Sequence, residues 1–306
     1  MPRWPGPLLI VAGLLLALGA FSAAAMVAEG QLEIDDRSML GPIALAGALI
    51  FAAGLVYSAI RQIRMRSVLR PDRYRGPSVI VLLALALVTA TILVAPFGSD
   101  AAVLMGGAGE MTFAGAIAIL VSTPLALALV SWLFVWRPRA LEALPSFPGR
   151  DPSGALLAGL GWGVLAWIGS TLVIIAVGWL LELIGRPPEP GAAELAIALV
   201  DPWIVVLAIV VLAPIAEELF FRGVVFNAWL REGGRRYAYV GSAALFAVIH
   251  VSLISLLPIF LLGLALAWVY ERTGSLLAPI AMHATVNGIS VALALLVRFD
   301  LVQLPV

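Results

Sequence analysis

The chain has 306 residues, 62% of them hydrophobic and only 12% charged, and its formal net charge is zero. Soluble globular domains run at about 45–50% apolar and about 25% charged, so this composition is that of a protein embedded in a lipid bilayer. The absence of cysteine excludes disulfides, thiolate metal sites and a cysteine nucleophile, and the balanced charge gives no electrostatic basis for binding nucleic acid.

A bilayer core requires about 20 apolar residues per helix. In chain order, spans are expected near 7–28, 42–63, 78–96, 113–136, 153–182, 203–225, 238–252, 256–270 and 276–297. The fold class is therefore all-α, a polytopic transmembrane bundle of about eight to nine spans. The N-terminus resembles a signal peptide, with Arg3, an apolar run and the small residues Ala23, Ala24 and Ala25. Its apolar stretch exceeds the usual 7–15 residues, so it is read as a retained first span. The seventh and eighth spans are short and joined by little more than "SLIS", which suggests a hairpin that does not fully cross.

All 18 basic residues are arginine, and their placement sets the expected orientation. Six of them (Arg61, Arg64, Arg66, Arg70, Arg73 and Arg75) mark a cytoplasmic loop, and the acidic stretch "EGQLEIDDRS" before it is then outside. Alternation puts Arg137, Arg139 and Arg150 inside, and Arg231, Arg235 and Arg236 inside again, with the N-terminus in the cytoplasm. The expected location is the cell membrane. The Pro-rich stretch at 186–190 divides the chain into an N-terminal helical region, 1–190, of no assigned role and a C-terminal core over 198–298. Gly159 and Gly163, at GxxxG spacing, are read as a helix-packing face and nothing more.

The polar residues concentrate in the C-terminal core. "LAPIAEELFFRG" places Glu217 and Glu218 side by side, with Arg222 four residues after Glu218. Glu218 and Arg222 share a helical face and pair, while Glu217 lies about 100° round the helix, free to face a cavity. Pro214 just upstream is expected to kink the helix and free carbonyls. The sequence has only two histidines. His250 follows Phe246 by four residues in "FAVIH", and His283 precedes Asn287 by four in "HATVN", so each pair shares a face. At 1.5 Å per residue, Glu217 lies roughly 21 Å from the outer end of its span and His283 about 10 Å from the inner end of its own. Ionisable groups at such depth face a bundle interior or a cavity.

Two chemistries fit this set. A carboxylate beside a histidine activates water as a general base, and a histidine with an asparagine amide stabilises an oxyanion. Alternatively, Glu217, His250 and His283 hold zinc or another divalent metal that activates the water. The bland reading of each residue is packing: an ion-pair staple for Glu218 and Arg222, interhelical hydrogen bonds for the histidines and Asn287, core filling for Phe220 and Phe221, and a solvated helix end for Glu271 and Arg272.

Taken together, "EELFFR", "FAVIH" and "HATVN" resemble the EExxxR, FxxxH and HxxxN motifs of the CPBP family of intramembrane proteases, which includes the CAAX prenyl endopeptidases of the Ras-converting type. The resemblance covers about residues 200–298. It implies an intramembrane endopeptidase, metal-dependent or glutamate-type, acting on a membrane-associated peptide or protein near the cytoplasmic face. Glu217 would be the catalytic glutamate assisted by His250, His283 and Asn287 would stabilise the oxyanion, and Glu218, Arg222 and Phe246 would support the site. In this sequence the HxxxN helix is the last span, whereas the prenyl-protein endopeptidases have a further helix after it. The family also includes bacteriocin-processing and self-immunity proteins, so a membrane scaffold or immunity role stands as the alternative. A proton-coupled transporter is a weaker one, because no internal repeat is visible. HExxH, GxSxG and the phosphate-binding P-loop are all missing from the sequence.

Overall fold

The computed structural model describes residues 5–28, 39–69, 73–100, 112–141, 147–185, 197–250 and 252–301. The acidic segment expected outside, 29–38, lies outside the described residues, as do Arg70 and the Pro-rich stretch 186–190. Within the described residues every regular element is helical. In order they are α1 Pro5–Ala28, α2 Leu40–Leu69, α3 Val79–Val94, α4 Phe113–Ser131 and α5 Pro152–Leu183. A 47-residue run, Pro202–Val248, follows and turns at Gly234, whose φ of 80° and ψ of −179° no helix contains. The part before the turn is α6 (202–233) and the part after it α7 (235–248); α8 Leu253–Thr273 and α9 Leu277–Arg298 complete the chain.

Seven of these helical runs are long and apolar enough to cross a membrane, with Pro202–Val248 counted as one. The chain is thus an all-α polytopic bundle. Helix α2 continues to Leu69, so Arg61, Arg64 and Arg66 extend a helix and do not sit in a loop.

The described chain packs as two compact units: residues 1–98 with 129–141, and residues 99–128 with 142–306. Compactness therefore divides the chain differently from the expected boundary near 190, because α5 and the first part of α4 group with the later helices. In the first unit, α1 and α2 run antiparallel with backbones almost touching. A methyl group on Gly47 would lie 2.9 Å from the Gly13 carbonyl oxygen, and one on Gly54 would lie 2.7 Å from the Ile10 nitrogen. Glycine is what permits that approach, as at many membrane helix contacts.

In the second unit, α5 lies parallel to α9. A methyl group on Gly159 would lie 2.7 Å from the Ala281 side chain, and one on Gly163 would lie 2.9 Å from the Met282 carbonyl. The GxxxG face is indeed a packing face, and it packs the helix that carries His283. Trp167 of α5 donates to the Ser290 hydroxyl at 3.2 Å further along the same seam.

Helices α7 and α8 form an antiparallel hairpin, as the sequence suggested, although α8 is a full 21 residues long. The base of the hairpin is tied by Arg235, which donates to Glu271 at 2.6 Å, and by the Tyr239 hydroxyl, which donates to the same carboxylate at 2.7 Å. Glu271 is therefore more than a solvated helix end. Ser252 caps the start of α8 by accepting from the Ser255 amide.

Candidate active site

Helix α6 is irregular where the motif sits. Two π-helical stretches, Val206–Leu212 and Leu219–Phe226, flank a short α-helical segment, Ala213–Glu218. Each π-turn adds a residue to the turn and leaves backbone groups out of register, a device common at functional sites. Glu217 and Glu218 end the segment between them.

Glu218 and Arg222 are completely buried. One oxygen, Glu218 Oε1, accepts from Arg222 Nη1 at 2.8 Å and from His283 Nδ1 at 2.9 Å. The other guanidinium nitrogen, Nη2, donates to the Gly263 carbonyl of α8 at 3.0 Å, and the guanidinium lies 4.7 Å from the centre of the Phe246 ring. One buried cation thus ties α6 to α7 and α8, and its carboxylate partner reaches α9. Partnering on this scale is what makes a buried charge tolerable. Gly263 was not singled out from the sequence. The signal was a lone glycine within an apolar helix, which tends to mark a close approach, and here a methyl group at 263 would lie 2.9 Å from the Ala243 Cα.

Glu217 faces the other way. It lines a cavity of about 490 Å³ together with His250, His283 and Asn287, and with Phe246 at its wall. Glu217 Oε2 is 4.0 Å from His283 Nε2, beyond hydrogen-bond range. It makes no hydrogen bond of its own. His283 therefore stands between the two glutamates, bonded to Glu218 through Nδ1 and facing Glu217 through Nε2. The Phe246 ring meets His283 edge-on at 5.6 Å and His250 at 5.0 Å, so this side chain orders both imidazoles.

His250 lies in the turn just past the end of α7, at the tip of the hairpin, and is exposed. Its Nδ1 is 2.7 Å from the Phe246 carbonyl oxygen. A carbonyl only accepts, so Nδ1 carries the proton and Nε2 of the neutral ring keeps its lone pair. Asn287 donates through Nδ2 to the Ile209 carbonyl in the first π-stretch at 2.9 Å. The sequence reading missed six hydroxyl groups that line the same cavity, those of Thr123, Ser170, Thr171, Ser252, Ser255 and Ser290. Nothing in the spacing of these residues distinguishes them from helix caps and packing hydroxyls.

The metal alternative called for Glu217, His250 and His283 to converge. Among the described residues no group of three His, Cys, Asp or Glu side chains is placed to hold a metal ion. Both histidines commit Nδ1 to an oxygen and keep Nε2, but with Glu217 they do not converge on one point as placed.

Comparison with known proteins places these residues within one matching segment. Residues 199–289 match the family model described as type II CAAX prenyl endopeptidase Rce1-like. The chain is 30% identical over 112 residues to the Bacillus subtilis protein YdiL, which is named as a membrane peptidase; the match covers 37% of this chain and 46% of YdiL. It is 29% identical over 138 residues to an uncharacterised 24.3 kDa Escherichia coli protein, covering 40% of this chain and 62% of that one. It is also 31% identical over 78 residues to the UPF0177 protein YxdF of Lactococcus lactis, covering 25% of this chain and 42% of YxdF. The matches span about half the length of these relatives. No solved structure matches significantly. The segment 199–289, which carries Glu217, Glu218, Arg222, Phe246, His250, His283 and Asn287, is thus similar to the Rce1-like endopeptidases, in keeping with the CPBP family that its three motifs resemble.

Proposed function

We propose that the chain is an intramembrane endopeptidase that hydrolyses a peptide bond of a membrane-associated peptide or protein within the cavity of its second unit. The observation that carries this reading is the division of labour between adjacent carboxylates. Glu218 is sealed against Arg222 and His283 by hydrogen bonds, while Glu217 lines the cavity and bonds to neither. The Rce1-like match over 199–289 and the name of YdiL support the reaction class.

In this reading Glu217 takes the proton of the attacking water, helped by the free Nε2 of His250 on the same cavity wall. The gap of 4.0 Å between Glu217 and His283 is too long for a direct bond but suits a bridging water. As the carbonyl carbon becomes tetrahedral, negative charge develops on its oxygen. That oxygen lies between His283 Nε2, whose ring Glu218 holds through Nδ1, and the second N–H of Asn287, which donates to it. The proton held by Glu217 then passes to the leaving amine. Arg222, Glu218 and Phe246 keep both imidazoles oriented. The orientation expected from the arginines puts this site in the cytoplasmic half of the cell membrane.

The test is cleavage of membrane-anchored reporter peptides by purified protein in proteoliposomes, with Glu217→Gln and His250→Ala beside the parent. Loss of a general base typically lowers the rate by about 10²–10⁴-fold. Both variants are expected to insert and fold as the parent does and to fall by that factor. Parent-level cleavage by Glu217→Gln would remove the assignment and favour the scaffold reading. Metal content of the same preparations, measured by plasma mass spectrometry, tests water activation by the side chains alone. Stoichiometric zinc that is lost on His250→Ala would overturn it.

A further inference from the structure

The hydrogen bond from Asn287 to Ile209 has a cause in the covalent structure of α6. In an α-helix the Ile209 carbonyl accepts from the amide of Ala213, and in a π-helix from that of residue 214. The Ala213 N–H is spent on the Ala208 carbonyl, in the π pattern. Residue 214 is proline and has no N–H. The Ile209 carbonyl is therefore left without either backbone donor. Asn287, reaching across from α9, supplies the missing one through Nδ2 at 2.9 Å.

The second π-stretch has a matching arrangement. Asn227 donates through Nδ2 to the Arg222 carbonyl at 2.6 Å and sits 2.9 Å from the Tyr270 hydroxyl of α8. Each irregular stretch flanking Glu217 thus has a carbonyl satisfied by an asparagine amide. The first of these stretches lies just upstream of Glu217. Adding or removing one residue of π-bulge turns everything downstream by about 100° around the helix axis. That is the angular offset between Glu217 and Glu218. Were the first π-stretch to relax to a plain α-helix, Glu217 would rotate out of the cavity relative to the upstream half of α6.

We propose that Asn287 is a positioning residue for Glu217: it replaces the N–H that Pro214 lacks and so locks the π-turn that aims Glu217 into the cavity. The functional meaning of that aim rests on the protease reading, but the bond and its effect on facing do not. The experiment therefore reads facing and stability, not cleavage. The chain has no cysteine, so Glu217→Cys is the sole thiol. Its rate of modification by a small water-soluble methanethiosulfonate reports whether position 217 faces the cavity.

Adding Asn287→Ala is expected to slow that modification about tenfold, through the rotation of about 100°, and to lower Tm by about 5 °C. Adding Pro214→Ala as well returns an amide at residue 214 that points at the Ile209 carbonyl in the π register. Both the rate and Tm are then expected to recover. If Asn287→Ala alone leaves the rate unchanged, or if Pro214→Ala restores neither quantity, the proposal is overturned. Should Asn287→Ala give no folded protein, the same pair of measurements on Asn287→Ser, whose hydroxyl is too short to reach Ile209, carries the test. A protein that cleaves nothing would sink the protease reading while leaving this result standing.

Discussion

Among the described residues, both compact units use glycine contacts between helices, but only the second adds a buried charge cluster. In the first, α1 and α2 meet through Gly13, Gly47 and Gly54, whose missing side chains bring two backbones into contact. In the second, α6, α7, α8 and α9 are gathered around one buried guanidinium, one buried carboxylate and an imidazole. Lipid gives apolar helices little reason to prefer each other over acyl chains, so both units need something beyond hydrophobicity. Close packing fixes distance but leaves no polar group exposed to a ligand. A charge cluster fixes distance and orientation together, and it can hold a neighbouring carboxylate ready on a cavity wall. The cost is that each member depends on every other.

This contrast predicts a hierarchy of sensitivity. The largest effect is expected from Arg222→Ala, which leaves Glu218 without its cation and removes the tie to Gly263. Breaking a buried pair in this way costs about 3–5 kcal/mol, so folded protein recovered in detergent, measured by monodisperse yield and Tm, should collapse. A variant with parent-like Tm would mean that the cluster is not what joins these helices. Next comes Gly47→Val in the first unit. Its side chain must displace the α1 backbone, and overpacking of this kind costs about 1–3 kcal/mol. Thermal unfolding should show a smaller loss than for Arg222→Ala, and an equal or larger loss would reverse the ranking of the two strategies. The smallest effect belongs to Arg235→Ala at the base of the α7–α8 hairpin. Its partner Glu271 keeps the Tyr239 hydroxyl, and the arginine side chain is 69% exposed. Tm is expected to stay within experimental error; a clear drop would show that the hairpin depends on this surface pair.

Much of the site was legible because helical periodicity is rigid. An i,i+4 spacing predicted the Glu218–Arg222 bond, and the offset of about 100° predicted that Glu217 would be free of it. The same arithmetic linked Phe246 to His250. Pro214 marked the place where a carbonyl would be freed. What periodicity cannot supply is contact between helices. Asn287 and His283 share a face of α9, yet one amide N–H goes to Ile209 and one imidazole nitrogen to Glu218, residues 78 and 65 positions away in the chain. That His283 Nε2 comes within 4.0 Å of Glu217 is likewise a fact of packing.

The sequence by itself determined that this protein lives in a bilayer, that it is helical throughout its spans, and that its rare polar residues form three spaced motifs. Those properties follow from solvation and from the pitch of a single helix, which each segment carries within itself. Only the tertiary structure decided which glutamate is sealed and which lines the cavity, which nitrogen of each histidine is committed, and what answers the carbonyl that Pro214 leaves open. The reason is that a hydrogen bond between helices is set by register and rotation, and both are fixed only when neighbouring helices close upon one another.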